Sequence, residues 1–152
     1  MKSISIPFIS VAAANILLAL IMSNFLWGEL YYPLDDSYIH LAIARNLSYY
    51  GVWGISKFDA AAASSSPLFT LMLAVAWSCI TQDVMLAIPF VINIVCVPLC
   101  LLVMYRIVLG GDRAQSPNAI RHAIIIAGLS FLIPVSVLAA LGMEHLLQVV
   151  IF

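Results

Sequence analysis

The chain has 152 residues, of which 64% are hydrophobic and 9% charged, with a formal net charge of -1. Soluble domains carry roughly 25% charged residues, so this chain has too little polar side chain to cover a water-soluble globule, and its mean hydropathy of +1.13 agrees. No broad basic field is present, which argues against nucleic-acid binding.

Taken in chain order, an apolar run at residues 7–27 follows Lys2 and is long enough to cross a hydrocarbon core of about 30 Å. Ala12, Ala13 and Ala14 lie inside that run instead of after it, so an uncleaved signal anchor is expected in preference to a cleaved signal peptide. Tyr31 and Tyr32 suit the aromatic belt at its end. The polar connection that follows holds Glu29, Asp35, Asp36 and Asp59 against Arg45 and Lys57. Within it, Pro33 and the two aspartates introduce an apolar spacing that predicts a short amphipathic helix on the membrane surface, capped by an Asp. On that helix Asp36 and His40 share a face at i, i+4, while Tyr38, Leu41 and Arg45 lie on another. Asn46-Leu47-Ser48 matches a glycosylation triplet of the kind that arises by chance. Residues 60–66 read as a flexible low-complexity connection.

The apolar stretch at 67–80 is too short to span and is expected at the interface. A second span is predicted at 84–104 and a third at 123–141, with a further span starting at 146–152. Between the second and third lie Arg106, Arg113 and Arg121 against Asp112 alone, which the positive-inside rule places in the cytoplasm together with Lys2. An even number of crossings must then separate them, so 67–80 does not cross and residues 28–83 form an external loop. The predicted fold is all-α: a polytopic transmembrane helical protein with interfacial helices in its first external loop. Residues 1–152 are expected to be the N-terminal portion of a longer chain, whose remainder would be a partner, as would membrane lipids. Cys79, Cys96 and Cys100 lie in apolar stretches and imply neither a disulfide nor a metal site.

This topology puts Asp35, Asp36 and Glu144 in one compartment. Two adjacent carboxylates repel each other, an arrangement that can supply a base or a metal ligand. Arg45 and Lys57 are the cations of the external loop and candidates for pairing with a lipid phosphate, although for Lys57 pairing with Asp59 or simple solvation is expected in preference. His40 and His145 are candidate substrate contacts. No cofactor is expected with certainty; a divalent metal ion shared by Asp36 and Glu144 is the candidate.

The segments Asp35-Asp36-Ser37-Tyr38, Ala44-Arg45-Asn46-Leu47, Ser65-Ser66-Pro67-Leu68-Phe69-Thr70-Leu71 and Gly142-Met143-Glu144, in that order, resemble the C-type superfamily of membrane glycosyltransferases. That superfamily includes protein mannosyltransferases, the aminoarabinose transferase of lipid A and arabinofuranosyltransferases. The resemblance spans about residues 5–152. It implies transfer of a sugar from a polyprenyl-phosphate carrier to an acceptor on the non-cytoplasmic face, in a bacterial plasma (inner) membrane, with Asp36 and its neighbour Asp35 as catalytic base. It also implies that Glu144 assists the base or binds the metal. The chain departs from the superfamily in lacking its later spans, so activity of residues 1–152 alone is not expected, and in carrying Ala60–Ser66 ahead of the Pro-Leu-aromatic segment. A transporter or flippase fragment and a non-catalytic membrane subunit are the alternatives. The former would place ionisable groups within the spans, whereas here they cluster at the ends.

Overall fold

A computed structural model describes residues 6–27, 32–109 and 119–151. Lys2, Glu29, Tyr31, Asp112 and Arg113, used above for topology, lie outside the described residues. The described chain is helical: α1 (Ile6–Trp27), α2 (Asp35–Tyr50), α3 (Pro67–Cys79), α4 (Gln82–Met85), α5 (Ile88–Leu109), α6 (Ala119–Leu132), α7 (Val135–Ala140) and α8 (His145–Ile151).

Two packing units result. Helix α1 packs on α6 and α7, and α5 packs on α7 and α8, giving an apolar bundle. Across it, Asn15 Nδ2 donates to Ser130 Oγ at 3.2 Å, joining α1 to α6. Helices α2 and α3 pair with each other through Leu41, Ala44, Phe69, Leu73 and Ala74. Tyr32 anchors that pair to the bundle: its hydroxyl donates to Leu86 O and accepts from Phe90 N–H, and its ring is buried. Both polar ends of that phenol are therefore satisfied by the turn before α5 and its first residues.

Local chemistry explains where the helices start and stop. Helix α5 begins at Ile88, later than the expected span at 84–104, because Gln82–Met85 closes as a separate short helix and Pro89 suits the first turn of a new one. It ends with Arg106 in its last turn, where a cation complements the helix dipole. The expected third span at 123–141 is two helices. Pro134 has no N–H for the ladder and restricts the residue before it, so α6 stops at Leu132 and α7 restarts at Val135. Helix α2 ends at Gly51, whose φ of 68° closes the αL cap with N–H bonds to the Asn46 and Leu47 carbonyls.

Among the described residues α5 alone is both long and apolar enough to cross a bilayer; the apolar parts of α1, α3 and α6 are shorter. Large apolar side chains nonetheless face outward around the bundle, with Phe131 86% and Ile107 75% exposed.

Candidate functional site

The site forms where three distant segments meet. Helix α2 reaches the turn between α7 and α8 through Ser37, whose Oγ donates to Leu141 O at 2.9 Å. One turn further along α2, His40 Nε2 lies 3.2 Å from Glu144 Oε2, and both side chains are 2% exposed. The chain before α3 supplies the third side: Ser65 Oγ donates to Glu144 Oε1 at 2.8 Å and lies 3.3 Å from His40 Nε2.

Gly142 makes this meeting possible. Its φ is +69°, the left-handed turn that ends α7, and a Cβ there would fall 2.1 Å from the Tyr32 ring. Only a glycine combines that backbone with that close approach. Two residues later Glu144 opens α8, its carbonyl accepting Gln148 N–H at 2.9 Å. The carboxylate is thereby aimed back at α2.

On the other edge of the imidazole, His40 Nδ1 lies 2.9 Å from Thr70 Oγ1 and 3.3 Å from Ser64 Oγ, and the two hydroxyls are 2.8 Å apart. Thr70 donates to Ser66 O at 3.1 Å, so its oxygen is left to accept, from His40 Nδ1–H or from the Ser64 hydroxyl. The Oε2 contact is one of charge, since no donor is aligned on that oxygen. Phe69 closes the site with its ring edge-on to the imidazole, centroids 5.6 Å apart. Burial pushes the Glu144 carboxyl up, but its own backbone N–H, the Ser65 hydroxyl, and the charges of His40 and His145 outweigh that, and its pKa lies below the ordinary value. A carboxylate so held is a strong acceptor.

The other candidate residues lie elsewhere. Asp35 and Asp36 occupy the first turn of α2, exposed, where their charge favours the helix N-terminus. Neither makes a side-chain cap; Leu34 is the cap residue. Asp36 shares no hydrogen bond with His40 despite the i, i+4 spacing, because α2 turns His40 inward and leaves Asp36 outside. Arg45 is exposed on the far side of α2. Lys57 stacks over Tyr50 and Phe58, at 5.8 and 5.1 Å from their ring centroids, instead of pairing with Asp59. His145 is half-buried beside Glu144 and contributes through its charge.

Comparison of the chain with protein-family models, with curated proteins and with solved structures gives no match. The resemblance to membrane glycosyltransferases thus rests on the residues quoted for it.

A divalent metal fits poorly. Glu144 Oε2 already faces His40 Nε2 at 3.2 Å, Asp36 stands apart from it, and no group of three His, Cys, Asp or Glu side chains suited to a metal forms among the described residues. Sequence reasoning passed over Ser37, Ser64, Ser65 and Thr70 as site residues. It took 60–66 for a loose tether, whereas Ser64, Ser65 and Ser66 are bonded into the His40 and Glu144 cluster. The signal available was Ser-Ser-Ser-Pro before a helix with Thr70 four residues after Ser66, a spacing at which a hydroxyl returns to a carbonyl. Asn46, the candidate glycosylation residue, is buried and donates to Gly54 O and Ile55 O at 2.8 and 2.7 Å. Its amide is spent on the loop and is not presented to a modifying enzyme.

Proposed function

We propose that this chain is part of a polytopic membrane glycosyltransferase that moves a sugar from a polyprenyl-phosphate carrier to an acceptor on the non-cytoplasmic face. The observation that carries the reading is convergence: the segments on which the resemblance rests, around residues 35–47, 65–71 and 142–144, meet at one buried cluster. In this reading α1, α5 and the broken pair α6 and α7 cross the membrane, and the outward apolar side chains face lipid. Helices α2 and α3 lie at the outer interface with the aromatic residues Tyr49, Tyr50 and Trp77 clustered between them.

The division of labour follows from burial. Asp36, exposed and adjacent to Asp35, can reach an acceptor hydroxyl and take its proton. Glu144, sealed by His40 and Ser65, positions α2 and through it the aspartates. Asp36→Asn in the full-length gene product should lower transfer from radiolabelled polyprenyl-phosphate sugars by about a hundredfold or more, with membrane insertion unchanged. Undiminished transfer in that variant would remove Asp36 from the chemistry, and no transfer by the well-inserted wild type would remove the reading.

The buried His40 and Glu144 pair favours one second reading, a proton-coupled carrier, because such pairs bind and release protons in transporters. There Glu144→Gln abolishes uptake and Asp36→Asn does not.

A further inference from the structure

Helices α1, α6 and α7 border an open cleft of about 630 Å³, within the roughly 300–1,000 Å³ typical of small-molecule sites. Its walls are largely apolar, with Val11, Leu18 and Met22 of α1 on one side and Phe131, Pro134 and Val137 on the other. No charged side chain lines it among the described residues. Three buried polar residues do, Asn15, Ser130 and Ser136, each at most 9% exposed. The exposed Ser10 lines it too and turns its proton to Ile6 O at 3.1 Å.

The Asn15 amide can sit only one way round. Its nitrogen donates to Val11 O at 3.0 Å and to Ser130 Oγ at 3.2 Å, and a carbonyl cannot donate in return. The Asn15 oxygen is then left without a partner among the described residues, yet it is not wholly enclosed, and the same holds for the Ser136 hydroxyl. Since both residues are otherwise buried and line the cleft, the cleft is what reaches these two oxygens. A further acceptor is the Ser130 carbonyl, which an unbroken helix would pair with the N–H of residue 134; Pro134 has none to give.

An amide oxygen only accepts, so whatever fills the cleft has to bring a donor. The lack of a lining cation disfavours an anion, and the apolar walls favour a hydrocarbon chain. We propose that the cleft holds a neutral lipid with a free hydroxyl, its O–H donating to Asn15 Oδ1 and its chain lying along Leu18, Met22 and Phe131. The Ser136 hydroxyl, which can donate as well as accept, is available to the same head group. A charged carrier phosphate does not suit this cleft, so the proposal stands apart from the transferase reading.

The test follows the ¹³C-methyl resonance of Met22, assigned by its loss in Met22→Leu, in the full chain in detergent micelles. The probe is 1-dodecanol; its methyl ether, which has no donor, and dodecyl phosphate, which is charged, are the matched controls. A saturable shift with dodecanol is expected, with affinity at least about tenfold weaker for either control. Asn15→Leu should abolish the preference for the alcohol over its ether. Because the Asn15 amide also ties α1 to α6, Ala14→Leu replaces that variant if it does not fold: it sets a larger side chain at an exposed position on the cleft wall and should abolish the saturable shift. No saturable shift with dodecanol, equal affinity for its ether, or dodecyl phosphate bound as tightly overturns the proposal. So does a folded Asn15→Leu that still prefers the alcohol, or an Ala14→Leu with unchanged affinity. A Met22 resonance that moves with protein concentration alone assigns the cleft to a second copy of the chain and overturns it equally.

Discussion

His40 and Glu144 are held by groups from three segments, so removing one strands the other in a buried setting. His40→Ala should destabilise the protein by roughly 3–5 kcal/mol, the usual result of breaking a buried pair from one side, read from thermal melting in detergent. The double variant His40→Ala, Glu144→Ala should cost less than the sum of the two singles, since neither partner is then left alone. The pH dependence follows from the direction of the Glu144 shift. Its folded pKa lies below the ordinary 4.5, so the carboxylate contributes stability that is fully present above that value and is lost as pH falls through the depressed folded value. Stability profiles of wild type and Glu144→Gln should differ by a constant above the carboxylate range and converge below it. Two glycines offer a sharper contrast. Gly51 and Gly142 have nearly the same positive φ, yet a Cβ at Gly51 meets open space and one at Gly142 meets the Tyr32 ring. Gly51→Ala should cost about 1–2 kcal/mol, the left-handed backbone penalty alone. Gly142→Ala should cost clearly more and also move Tyr32, visible as a change in its fluorescence or NMR signals.

At the scale of elements, Asn46 decides the path of the chain after α2 by donating to two carbonyls of the following loop. Asn46→Ala should release residues 52–59 at a cost of about 1–3 kcal/mol, and trypsin should then cut after Lys57 far faster than in wild type. The apolar runs and a helix beginning at Asp35 were legible in the sequence because composition and periodicity are local properties. Pro134 was visible in the sequence as well, but the single span expected at 123–141 took no account of it. The outcome reflects the missing N–H. The candidate site was half legible. Glu144 and His40 stood out as ionisable groups in apolar surroundings, but their contact depends on Gly142 folding back over Tyr32, and no spacing rule connects those positions. Asp36 drew attention for its charge, and the direction in which α2 docks then left it outside. The serines before α3 were hidden by their own composition, since a run of small residues reads as slack chain until a neighbour is seen to need its hydroxyls.

For the molecule as a whole, the proposed arrangement in the membrane predicts which surfaces meet water. With the native cysteines replaced, a cysteine at Lys57 should react with an impermeant maleimide added to intact spheroplasts, one at Ile107 only after the membrane is opened, and one at Phe131 poorly in either case. Labelling of the first two from the same side would overturn the topology. Hydrogen bonds join Asn15 to Ser130 and Ser37 to Leu141, 115 and 104 residues apart in the chain. A ribosome makes α2 and α3 long before the residues that complete their contacts. Until Glu144 is synthesised, His40 has its hydroxyl neighbours but no carboxylate, and Ser65 has no carboxylate to receive its proton. The half-made protein therefore carries an open, polar seam at the spot that is sealed in the finished one. A chain stopped before residue 144 leaves Ser65 and His40 without the carboxylate they face, and proteases should cut it at residues 60–66 faster than a chain that extends past that glutamate.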